Sequence, residues 1–242
     1  MSEACSRASA CVPRGIYLVL LVLSIAFSTE LALAHNIATG DQVFFEQSKG
    51  SQVIPYMYFG AKHMVTGYDH LLYLAGVIFF LSRIRDVALL VSLFALGHSI
   101  TLLAGVLAKW QVSPHLVDAV IGLSVAYKAF ENLGGFRAFF SRWLDTRAAV
   151  FLFGLIHGLG LSTKLQDLAL SSENLVTNMI SFNVGVEFGQ LAALSILVFG
   201  FNLLRTSSQF QRNALAANFL LMVAGFLLMG YQLSTYVLAG KV

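Results

Sequence analysis

From His63 to His70 the chain reads His63-Met64-Val65-Thr66-Gly67-Tyr68-Asp69-His70, placing two imidazoles and a carboxylate inside an otherwise apolar run from about 56 to 81. Neutral imidazole nitrogen and carboxylate oxygen are donors that borderline divalent metals accept. A second apolar run carries His98-Ser99 with Thr101, and a fourth carries His157-Gly158. A fifth places Asn183, Glu187 and Gln190 at i, i+4 and i+7, a single polar stripe on a helix. Ionisable groups at membrane depth are expensive, and they mark ion paths, proton relays or metal sites.

Composition supplies the setting. Of the 242 residues, 57% are hydrophobic and 11% are charged, whereas soluble domains carry about 25% charged residues. The expected fold is therefore all-α, a polytopic membrane protein. The net charge of +3 reports topology in such a chain and gives no sign of a nucleic-acid partner. Six apolar runs, at about 56–81, 87–108, 115–134, 148–165, 176–203 and 214–238, each approach the roughly 20 residues that a bilayer requires. They predict a six-transmembrane-helix bundle over 56–242, with no room for a soluble domain between the spans.

The first 34 residues have the make-up of a cleavable signal peptide: Arg7 and Arg14, an apolar stretch from Ile16 to Phe27, then Ala32-Leu33-Ala34 as a cleavage site. Cleavage after Ala34 leaves His35 at the mature N-terminus, where its amine and ring nitrogen offer a further pair of metal donors. Residues 35–55 are expected to form a short extracytoplasmic segment. Both cysteines, Cys5 and Cys11, fall in the removed stretch, so a metal site in the mature chain is built from nitrogen and oxygen. With the mature N-terminus outside, the cytoplasmic loops hold Arg83 and Arg85, then Arg137, Arg142 and Arg147, then Arg205 and Arg212, against Lys109 and Lys164 on the other side. That bias puts both mature termini on the extracytoplasmic face of the membrane.

With a helical rise of 1.5 Å per residue, Asp69, His70, His98, His157, Asn183 and Glu187 fall at similar depths on four different spans. Taken singly, a buried histidine is as well explained by a hydrogen bond across a helix interface. Six such residues converging predict a metal or proton site. In a straight helix His63 stands about 10 Å above His70, so the simpler expectation is two stations, with His63 toward the mouth. A helix break at Gly67 is the alternative. The third span is polar in another way, with Asp118 near its outer end and Lys128, Glu131 and Asn132 toward its inner end; Lys128 and Glu131 are spaced to pair. Glycines at 97, 105, 122, 154, 158, 160, 185 and 189 predict close helix packing.

His63-x5-Asp69-His70 resembles the His-x5-Asp-His signature of the HupE/UreJ family of bacterial membrane proteins, regarded as nickel or cobalt permeases. His98-Ser-Ile-Thr-Leu, Phe153-Gly-Leu-Ile-His157-Gly158 and Phe182-Asn-Val-Gly-Val-Glu187-Phe-Gly-Gln190 resemble that family's later blocks. So do a signal peptide and a histidine at the mature start. Of a second family signature, Phe-His-Gly-x-Ala-His-Gly-x-Glu, His157 and Gly158 carry over, while its first histidine and its glutamate do not. The resemblance covers the whole mature chain and implies a permease of the bacterial inner membrane.

The leading expectation is a permease for a divalent transition metal, nickel or cobalt by resemblance, with zinc also compatible with the donors. Its candidate ligands are His63, Asp69, His70, His98, His157 and Glu187, with His35 as a possible addition. Asn183, Gln190 and Thr101 are candidates to orient them. Because neutral imidazole is the ligating form, affinity should fall as pH drops through the imidazole range. An intramembrane zinc hydrolase with a carboxylate base is the alternative, although the chain has neither a His-Glu-x-x-His helix nor a Gly-x-Ser-x-Gly elbow. A third reading is an accessory subunit whose ion is structural.

Overall fold

The computed structural model describes residues 50–81, 83–139, 144–166, 174–206 and 210–239. The signal peptide, His35, Arg142 and nearly all of the polar segment before Pro55 lie outside the described residues, as does the side chain of Arg212. Among the described residues the fold is all-helical: α1 (Val53–Thr66), α2 (Tyr68–Ile78), α3 (Ile84–Leu107), α4 (Pro114–Asn132), a short α5 (Gly135–Phe139), α6 (Thr146–Gln166), α7 (Leu175–Arg205) and α8 (Phe210–Ala239).

Local signals explain the boundaries. Pro114 opens α4, where its fixed φ suits a first helical position and its missing N–H is not needed. The carboxylate of Asp145 accepts the backbone N–H of Arg147 at 2.8 Å at the start of α6, next to the unpaired donors of a helix N-terminus. At the far end of α2, Arg205 donates to the carbonyls of Ile78 and Phe79 at 2.6 and 2.8 Å, satisfying acceptors that a helix end leaves free.

Among the described residues four helices, α3, α6, α7 and most of α8, are long and apolar enough to cross a bilayer, which makes the chain a multi-pass membrane protein. The others fall short for identifiable reasons. The expected first span is interrupted at Gly67, whose ψ of 93° is extended and separates α1 from α2. The expected third span, α4, carries Asp118, Lys128 and Glu131. The molecule is apolar on its outside: Ile196, Phe199 and Leu203 on α7 and Leu215, Phe226 and Leu227 on α8 are exposed, while His70, His98, His157, Asn178, Gln190 and Asn218 are buried. That inversion suits a lipid solvent, in which polar groups must find partners within the protein.

Three helix pairs form the body: α1 with α7, α3 with α6, and α4 with α8. Each seam is made of small residues. A Cβ on Gly60 of α1 would fall on the Phe182 carbonyl of α7, and one on Gly185 of α7 would fall on the Met57 carbonyl. In the second pair, Gly154 meets the Phe94 carbonyl and Gly97 the Phe151 carbonyl. In the third, Gly122 and Gly225 abut each other's backbone. The expected close packing of glycines is thus present, and with it the Lys128–Glu131 pair at 2.7 Å. α6 runs unbroken past Gly154, Gly158 and Gly160.

Candidate metal centre

The break at Gly67 determines the geometry of the site. It changes the course of the chain between α1 and α2, and the His63 and His70 rings lie 5.2 Å apart instead of the roughly 10 Å of a straight helix. The two stations expected from helical spacing are therefore one. His70 sits at the centre: His157 is 4.9 Å from it and His98 5.7 Å, ring to ring. One donor atom from each of His63, His70 and His98 can be chosen so that all three lie within 4.8 Å of one another; His157 stands beside this triplet. His98 and His157 are each only 1% exposed.

The hydrogen bonds fix the ring chemistry. The Nδ1 of His70 lies 2.9 Å from Asp69 Oδ1. A carboxylate can only accept, so Nδ1 carries the proton, and in the neutral form of the ring Nε2 is left with a bare lone pair. His157 is held the same way, its Nδ1 donating to the Phe153 carbonyl at 2.7 Å. Asp69 also accepts the backbone N–H of His70 at 2.9 Å, so it orients His70 from behind, the arrangement by which carboxylates fix ligating histidines.

What the nitrogens lack is equally informative. His63 Nε2, His70 Nε2, both ring nitrogens of His98 and His157 Nε2 are buried and have no hydrogen-bond partner. An unsatisfied buried polar atom costs about 1–3 kcal/mol, so gathering several in one place is costly unless a cation can share their lone pairs. The lining is aromatic. Phe94 lies 5.0 Å from His157 and 6.2 Å from His70, Tyr73 lies 5.4 Å from His157, and Phe182 lies 6.4 Å from His63. Tyr73, three residues beyond His70 and hence on its helix face, was discoverable from spacing but is absent from the sequence-derived set.

The remaining candidates lie elsewhere or face other partners. Glu187 lines a pocket of about 470 Å³ between α3 and α7 whose walls include Val91, Ser92, Gln190 and Ser195 and none of the histidines. Gln190 donates to the Val91 carbonyl at 3.0 Å, and Asn183 to the Met179 carbonyl at 3.1 Å; the side-chain oxygens of both are buried without partners. Thr101 donates to the Leu155 carbonyl, tying α3 to α6. No curated protein and no solved structure shows significant similarity to the chain. The family described as HupE / UreJ protein matches residues 39–240, and with nearly all of the sequence covered, the chain belongs to the HupE/UreJ family.

Proposed function

We propose that the protein is a permease for a divalent transition metal ion, which is bound in transit by the imidazoles of His63, His70 and His98, with His157 as the next donor. The observation that carries this reading is the set of buried, unpartnered imidazole nitrogens around His70, two of whose rings have their tautomers set by Asp69 and the Phe153 carbonyl. An all-nitrogen set suits nickel, cobalt and zinc, and the family resemblance favours the first two. Asp69 supplies negative charge against the ion from one bond further out.

Six spans, cleavage after Ala34, an inner-membrane location and extracytoplasmic mature termini belong to the same proposal, supported by the arginine bias of the expected cytoplasmic loops. Transport is favoured over hydrolysis by the position of the carboxylates. Asp69 is engaged with His70, and Glu187 lines a pocket without histidines, so neither stands as a free base beside the cluster. Turnover of lipid or peptide by zinc-loaded protein, lost in Glu187→Gln, would reverse that preference.

The test is elemental analysis of purified protein, titration with nickel, cobalt and zinc, and uptake by proteoliposomes. The expected result is stoichiometric binding and uptake, both abolished in His70→Ala and strongly reduced in Asp69→Asn with the protein still folded. Undiminished uptake in both variants would refute the proposal.

A further inference from the structure

The two halves of the chain repeat one another in inverted orientation. α1 carries Phe59-Gly60-Ala61-Lys62-His63 and α6 carries Phe153-Gly154-Leu155-Ile156-His157, the same Phe-Gly-x-x-His. Their partner helices match as well: Phe182-x-x-Gly185 on α7 corresponds to Phe94-x-x-Gly97 on α3. The contacts agree residue for residue. Gly60 meets the carbonyl of Phe182, and Gly154 that of Phe94. Gly185 meets the carbonyl three residues before Gly60, and Gly97 the carbonyl three residues before Gly154. Gly189 abuts the Ala61 carbonyl, while Thr101, in the matching place, donates to the Leu155 carbonyl.

The contact registers also give direction. Along α1–α7 and along α3–α6 the contacting positions rise together, so these pairs are parallel. Along α4–α8, Gly122 touches Met229 and Gly225 touches Ala126, so that pair is antiparallel and each helix is the other's counterpart. An approximate two-fold operation, judged by the seams within the pairs, therefore relates α1–α2 to α6, α3 to α7 and α4 to α8. It also exchanges His63 with His157, placing the histidine cluster at the interface between the repeats, where transporters with inverted repeats bind substrate.

The halves are not identical: α4 packs on α2 and α6 whereas α8 hardly meets either, and their first helices differ in continuity. The first is broken at Gly67, while α6 is continuous through the matching position near Leu161. We propose that the repeats exchange these conformations during transport: α1 and α2 straighten through Gly67 as α6 breaks within Gly158–Leu161. Straightening separates His63 from His70 to about 10 Å along the axis and dismantles the triplet, so the same movement that changes access also releases the ion. Gly67 is thus the positioning residue of the site. This rests on the permease reading above.

Nitroxide labels at Tyr58 and Phe80, both exposed, in protein with Cys5 and Cys11 replaced by alanine, report the distance across the break in nanodiscs with and without zinc, which is diamagnetic. The expected result is two distances without metal, one near the roughly 33 Å of a continuous helix and one shorter, with saturating zinc leaving only the shorter. A single distance unchanged by zinc, in protein shown to bind zinc, would overturn the exchange while leaving the metal site intact. Protein that binds neither zinc nor nickel would overturn both. Gly67→Ala, which favours the continuous helix, is expected to weaken zinc binding up to about fivefold and to enrich the longer distance. Unchanged affinity and distances in that variant would count against Gly67 as the hinge.

Discussion

Two buried polar clusters in this molecule contrast in how they are satisfied. At the ends of α4 and α8, Lys128 pairs with Glu131 at 2.7 Å, Thr146 donates to the other Glu131 oxygen at 2.6 Å, and Asn132 bridges the Gly76 carbonyl and Asn218 at 2.8 and 2.9 Å. None of these side chains has an unsatisfied buried atom. The histidine cluster, whose His70, His98 and His157 are more deeply buried than Lys128, leaves five ring nitrogens unpartnered. A closed network stabilises a membrane fold, whereas an open one carries a cost that only a ligand offsets. The difference separates polar residues that hold the helices together from the imidazoles proposed above to bind the metal, where the orphaned atoms are gathered in one place.

The contrast can be broken by substitution. His70→Ala removes the imidazole that all the others surround, and we expect metal affinity to fall by more than about 100-fold, read by titration calorimetry, with the metal-free protein still folded. Lys128→Ala should do the opposite, costing about 2–3 kcal/mol of stability by leaving Glu131 without its cation, seen as a lower Tm, with metal affinity unchanged. Equal effects of the two variants on affinity would erase the distinction. Asp69→Asn sharpens it: an amide in the carboxylate's place loses the charge and no longer dictates the His70 tautomer, for a loss of about 10- to 100-fold in affinity with little change in Tm. Glu187→Gln is expected to have the smallest effect, under about threefold on affinity in a direct binding assay, because Glu187 lines a pocket apart from the histidines.

The sequence made the helices and their polar residues legible because apolar runs of bilayer length have few alternatives. The expected runs at 87–108, 148–165 and 176–203 correspond closely to α3, α6 and α7. The family was legible too, since His63, Asp69 and His70 sit in a specific spacing. What spacing could not supply was the path of the chain at Gly67. A helical rise applied through that residue separates His63 from His70, and only the break joins them.

Glu187 illustrates a second limit. Periodicity places Asn183, Glu187 and Gln190 on one stripe, but it does not say which neighbour the stripe faces. The glycines that pack α7 against α1, Gly185 and Gly189, occupy another face and leave Glu187 beside the α3–α7 pocket. Asp118 and Lys164 were likewise visible one by one, yet their ion pair at 2.9 Å joins residues on α4 and α6 that no local pattern connects.

X-ray absorption spectroscopy of the purified protein loaded with one equivalent of nickel addresses the central claim most directly, because imidazoles give a recognisable multiple-scattering pattern. The expected spectrum shows imidazole nitrogens from His63, His70 and His98 at about 2.1 Å from the metal, with the pattern lost in His70→Ala. A shell of oxygen donors alone, or an unchanged spectrum in that variant, would contradict that claim.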